Sequence, residues 1–177
     1  MSEVTIETPQ QKLMRYIEDA IALENASAST LKDMADSSKV PEESGMYQAY
    51  FKICEGQKKR LEERVVALGG TLKRSLLKDM LSSVGAAAAN LIHVNKDDEE
   101  KGTRNLMQCY TMAALESAVY EALATAAETI GDCDTAQLAR DLQKEEQAVM
   151  QQAFGRIPMV AASAMAPPEP VPAAAVA

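Results

Sequence analysis

Three glutamates, Glu24, Glu116 and Glu145, fall where a helix should carry apolar side chains. Leu106, Cys109, Ala113, Glu116, Tyr120, Leu123, Ala127 and Ile130 step by three and four residues, which puts them on one helical stripe of the kind that faces a bundle core. Glu24 interrupts a similar stripe of Leu13, Tyr16, Ile17, Ala20, Ser27, Leu31 and Met34, and Glu145 another of Thr135, Leu138, Leu142, Val149 and Gln152. A carboxylate taken out of water is costly unless a cation or hydrogen bonds compensate it. Three such residues on separate helices predict a shared buried cluster. Because like charges repel, that cluster calls for a metal ion, bound protons or a basic partner. Oxygen donors of this kind suit iron or manganese. A one-residue slip in the phase of a stripe would instead carry its glutamate to the helix flank and water, leaving solvated or proton-sharing carboxylates without metal.

Other residues with chemical potential read more plainly. His93, the only histidine, suits an ordinary surface or capping role better than a ligand role. Tyr120, one turn from Glu116, reads as a core aromatic whose hydroxyl bonds a glutamate, ahead of a role as electron donor. Cys54, Cys109 and Cys133 form no Cys-x-x-Cys pair and read as reduced structural thiols. The methionines are scattered through all segments, as core filler is.

Four long helices are needed to position the glutamates. Residues 1–7 read as a flexible leader. Thr8-Pro9-Gln10-Gln11 is a helix start, with Thr8 as N-cap, Pro9 at N1 and Gln11 closing a capping box. This first helix ends near Ser37. A second runs from about Pro41 to Leu68 and is stopped by Gly69-Gly70; Tyr47, Phe51, Cys54, Leu61, Val65 and Leu68 form its apolar face, with Lys58 on the same stripe and Glu55 and Lys52 at its flank. Residues 71–98 predict a long crossover containing two short helices. The third helix spans about Glu99 to Ile130. Asp134-Thr135-Ala136-Gln137 then caps a fourth, which closes near Gly155. The bundle thus covers residues 8–156, and residues 157–177 form a Pro/Ala-rich tail expected to be disordered, either an uncommitted terminus or a segment that docks to another protein.

Composition agrees with an all-α chain. Helix formers dominate and Trp is absent. The formal net charge of -8 and a pI near 4.8 argue against nucleic acid as a partner, since phosphate binding needs a basic patch. No apolar run approaches the roughly 18–20 residues of a membrane span. With an acidic, polar amino terminus and no paired cysteines, the expected setting is cytoplasmic.

The strings CEGQKKRLEERVVALGG, ESAVYEALATAAETIGD and AQLARDLQKEEQ resemble the YciE/YciF-type ferritin-like proteins of bacteria, from about Tyr16 to Ala153. The resemblance implies a ferritin-like four-helix bundle with a long crossover, a stress-associated role, a homo-oligomer (a dimer) and a di-metal site of iron or manganese. The family pattern is one Glu in the first helix, Glu-x-x-His in the second, Glu-x-x-Glu in the third, and Glu followed four residues later by Asp or His in the fourth. Carried over, Glu24, Glu116 and Glu145 keep the family residue. Lys52 stands at the second helix's Glu place and Glu55 at its His place, while Ala113 and Val149 replace ligands outright. Two expectations follow. Glu24, Glu55, Glu116 and Glu145 hold a reduced metal site for iron or manganese. Alternatively, the bundle is non-catalytic, and Lys52 neutralises a polar Lys–Glu core; an ammonium at about 4 Å contributes roughly 4 kcal/mol at an effective dielectric of about 20.

Overall fold

The computed structural model describes residues 7–71 and 100–165. The predicted crossover with its short helices, His93, residues 1–6 of the leader and the tail beyond residue 165 lie outside the described residues. Within them the chain forms four α-helices and no strand: α1 (Pro9–Ser37), α2 (Pro41–Ala67), α3 (Lys101–Thr129) and α4 (Cys133–Ala164). The all-α bundle expected from periodicity is the fold observed.

Local chemistry sets most of the boundaries. The Thr8 backbone N–H donates to Gln11 Oε1 and the Gln11 N–H donates to Thr8 Oγ1, which completes the capping box of α1. Pro41 opens α2 at N1, where its missing N–H costs nothing. Gly69 (φ 77°) and Gly131 (φ 78°) take the left-handed conformation that ends α2 and α3. The start of α4 differs from expectation. Its N-cap is Asp132, which accepts from the Thr135 N–H (3.1 Å) and Thr135 Oγ1 (2.7 Å), whereas Asp134 already lies in the first turn and is exposed. The other end differs too. Helix α4 does not close at Gly155 but continues through Pro158 to Ala164. Proline there gives up only the bond to the Phe154 carbonyl. The added turns pack against the start of α3, where Val160 lies so close that a Cβ on Gly102 would meet it at 3.0 Å.

Three-residue connections make α1–α2 and α3–α4 antiparallel hairpins, and the most extensive packing lies within each hairpin. Between hairpins, α1 meets α3 more closely than α2 meets α4. The core is split in two. One half, toward the α2–α3 chain ends, contains Leu13, Ile17, Leu61, Val65, Leu123 and Leu142. The other contains Leu31, Met34, Tyr47, Cys109, Val149 and Ala153. The residues between them are polar: Glu24, Ser27, Gln57, Glu116 and Glu146, all buried. Tyr120 reaches this layer from the first half-core and Tyr50 from the second.

Candidate functional site

Glu24 and Glu116 stand where periodicity places them, each 1% exposed on the inward stripes of α1 and α3. The α3 stripe is followed closely, with Leu106, Cys109, Ala113, Glu116, Tyr120, Leu123 and Ala127 all buried. On α4 the phase is one residue off. Ala139, Leu142, Glu146, Val149 and Ala153 are the buried positions, so Glu146 is the inward carboxylate. Glu145 lies on the flank, where it accepts from Arg60 Nη1 (2.9 Å), Arg60 Nη2 (2.5 Å) and Gln57 Nε2 (3.1 Å). Helix α2 shows the same kind of shift. Its inward residues are Tyr47, Tyr50, Cys54, Gln57 and Leu61, so Phe51 and Lys58 leave the stripe. Glu55 faces outward and pairs with Lys58 (2.6 Å). Lys52 is exposed. The expected Lys–Glu core is therefore corrected: the ammonium points to water, because the inward face of α2 is set by Tyr50, Cys54 and Gln57. The structure brings together Glu24, Glu116 and Glu146, and places Glu55 and Glu145 outside that group.

Proton bookkeeping defines the state of the layer. The Tyr50 hydroxyl lies 2.7 Å from Glu116 Oε2 and 2.8 Å from Glu146 Oε2. One phenol proton serves only one of these oxygens, and a proton on the other carboxyl, donated to the phenol oxygen, completes the arrangement. Tyr120 repeats the arrangement between Glu24 Oε1 and Gln57 Oε1, the latter at 3.2 Å. A neutral Glu24 donating to Tyr120, with Tyr120 donating to Gln57 and Gln57 Nε2 donating to the ionised Glu145, gives each hydroxyl and carboxyl proton in that row an acceptor.

Electrostatics point the same way. Burial, partly offset by Tyr120, pushes the Glu24 carboxyl up to about 8. Burial, then the neighbouring Glu24 and Glu146, pushes Glu116 well above the ordinary range, and burial also raises Glu146 against the opposing Tyr50 hydrogen bond. The Cys54 thiol, facing the same carboxylates, is pushed up by burial and by Glu116, Glu24 and Glu146. Outside the layer the sign reverses. Burial works to raise Glu145, but Arg60 and Gln57 hold it below the usual carboxylate range.

Three oxygens remain over: Glu24 Oε2, Glu116 Oε1 and Glu146 Oε1 are buried without a hydrogen-bond partner. Orphaned carboxylate oxygens in a dry core are costly, and a cation is one group that satisfies several at once. Ligand atoms of Glu24, Cys54 and Glu116 lie within 4.8 Å of one another. The donor set therefore fits a cation.

Reasoning from spacing passed over Glu146, Tyr50 and Gln57 as site residues and read Cys54 as structural. The signal for Glu146 was present: the phase with Glu145 inward also brings Gln152 inward, whereas the observed phase brings in Ala139 and Ala153. Periodicity does report Tyr120 correctly, as a core aromatic bonded to Glu24.

Comparison with known proteins adds the family context. Residues 8–157 match the family described as a domain of unknown function, DUF892. The comparison with curated proteins returned no match. Three solved structures share the fold. A protein from Xanthomonas campestris is 22% identical with a TM-score of 0.73, covering 89% of this chain and 96% of that one. The stress protein YciF of E. coli is 19% identical with a TM-score of 0.76, covering 89% and 99%. YcfI of Rhodopseudomonas palustris, described as a candidate structural protein, is 16% identical with a TM-score of 0.69, covering 87% and 98%.

Proposed function

The chain belongs to the DUF892 family, and on that premise we propose that it is a ferritin-like metal-binding bundle whose centre is Glu24 and Glu116, backed by Glu146. The single observation that carries this reading is the trio of buried, unpartnered carboxylate oxygens. No lysine, arginine or histidine among the described residues is buried with them.

Iron or manganese suits the oxygen donors, and such an ion, when bound, supplies redox chemistry that the side chains lack. The chain's own residues do the rest. Leu142, Leu123 and Leu61 on one side and Val149, Cys109 and Leu31 on the other keep water from the layer. Tyr50 fixes the orientation of Glu116 and Glu146, and Tyr120 that of Glu24. The protons held on these carboxyls are the groups that a cation displaces.

The test is metal analysis of the purified chain with melting curves in the presence and absence of Fe(II), kept anaerobic, or Mn(II). At a free concentration of about 100 times Kd, a bound ion adds roughly 2.7 kcal/mol. Near-zero bound metal with an unchanged midpoint would defeat the proposal. A second reading, a purely structural bundle with a proton-bridged polar layer, is favoured by one observation: the two tyrosine hydroxyls each bridge two acceptors, an arrangement that protonated glutamates complete. That result in the metal assay would establish it.

A further inference from the structure

We infer that Cys54 is a ligand of this centre, making it a mixed oxygen–sulfur site for one borderline-soft divalent ion such as Zn(II), Co(II) or Fe(II), rather than an all-oxygen site. The inference rests on the metal-binding reading of the carboxylate layer and names its donor set. Helix α2 is what forces it. The positions where the family resemblance places that helix's ligands, Lys52 and Glu55, point away from the centre, one exposed and the other engaged with Lys58. The inward residues at the level of the layer are Tyr50, Cys54 and Gln57. Tyr50 is committed to Glu116 and Glu146, and Gln57 to Tyr120 and Glu145.

That leaves the sulfur of Cys54, fully buried, as the strong metal donor that α2 offers. It is one of the three ligand atoms that lie within 4.8 Å of each other, with Glu24 and Glu116 as the other two. A four-coordinate ion with ordinary bond lengths spaces its donors by about 3.5 Å, so a trio already within 4.8 Å needs only a small closure around a single ion. Glu24 Oε2 and Glu116 Oε1, buried and unpartnered, are the oxygens free to turn to it. Thiolate coordination shifts preference away from manganese and magnesium, which favour oxygen, toward zinc, cobalt and ferrous iron. The other cysteines stand apart from this arrangement: Cys109 is turned to Met34 Sδ (3.9 Å) and Cys133 is exposed.

The test loads the full-length apoprotein with Co(II) under anaerobic, reducing conditions and reads two signals: bound cobalt per chain and the near-ultraviolet thiolate-to-cobalt charge-transfer band. The unaltered chain and the Cys109→Ser and Cys133→Ser variants should bind cobalt and show the band. Cys54→Ser should lose the band completely. Zn(II)-loaded unaltered protein, examined by X-ray absorption, should show one sulfur neighbour at about 2.3 Å beside oxygens at about 2.0–2.2 Å; this second measurement decides the matter if Cys54→Ser fails to fold. Cobalt or zinc bound without a sulfur signature, or a band that survives Cys54→Ser, overturns the ligand assignment while leaving the carboxylate centre standing. Absence of any bound ion defeats both.

Discussion

At the scale of single residues, the buried glutamates are held by hydrogen bonds that need protons, which makes their amides good mimics. Gln at position 116 has the same shape, can donate to the Tyr50 oxygen, and carries no charge to desolvate. Glu116→Gln should therefore leave the metal-free melting point at pH 8 unchanged or raise it, while abolishing the rise on adding Fe(II) or Mn(II). Both are read in one thermal-shift experiment. A loss of more than about 1 kcal/mol in the metal-free form would mean that the carboxylate itself is structural. Glu145→Gln is the contrasting case. Its carboxylate neutralises Arg60 at the half-exposed rim, so its removal should weaken the α2–α4 contact and leave the metal response in place. The metal response, more than the stability change, separates these two glutamates.

At the scale of elements, the bundle was legible where caps and stripes were unambiguous. Thr8 and Gln11 start α1, the glycine at 69 ends α2, and the α3 stripe is buried from Leu106 to Ala127. It was not legible where two phases compete. Glu145 and Glu146 are neighbours of the same type, and both phases share Thr135, Leu142 and Val149. The observed phase buries the small Ala139 and Ala153 in place of Leu138 and Gln152, on the helix that packs most extensively against α3. Periodicity weighted by hydrophobicity prefers leucine and undervalues alanine. The junction of α2 with the α3–α4 turn was likewise invisible to local patterns, because its residues are far apart in sequence. There Arg64 donates to Asp132 Oδ1 (2.5 Å) and Thr135 Oγ1 (2.7 Å), so one guanidinium clamps the residue that caps α4. The pair is mostly buried. Arg64→Ala should lower stability by roughly 2–4 kcal/mol, measured by urea denaturation. Arg64→Lys should recover only part of that, since an ammonium lacks the fork that reaches both oxygens.

At the scale of the whole molecule, two apolar half-cores enclose one titratable layer, so global stability must follow the protonation of that layer. The sign follows from linkage. The Glu24 carboxyl titrates at about 8 in the folded chain against 4.5 for the ordinary group. Below the lower value both states are protonated and the layer contributes no pH dependence. Between the two, the unfolded chain has lost a proton that the folded chain keeps, so stability falls as pH rises, by up to about 1.4 kcal/mol per pH unit for each such group. Above about 8 the loss from Glu24 is complete. Glu116 and Glu146 shift in the same direction and steepen the fall. The metal-free protein should accordingly be more stable at mildly acidic pH than at pH 8, and Glu24→Gln should flatten the profile across this window. A bound cation reverses the dependence, because it holds the carboxylates in their ionised form and competes with protons for them. Its added stability should grow with pH over the range in which the metal-free protein weakens. Guanidinium denaturation at a series of pH values, with and without metal, would reveal the divergence. Parallel profiles would mean that cation and protons do not share the layer.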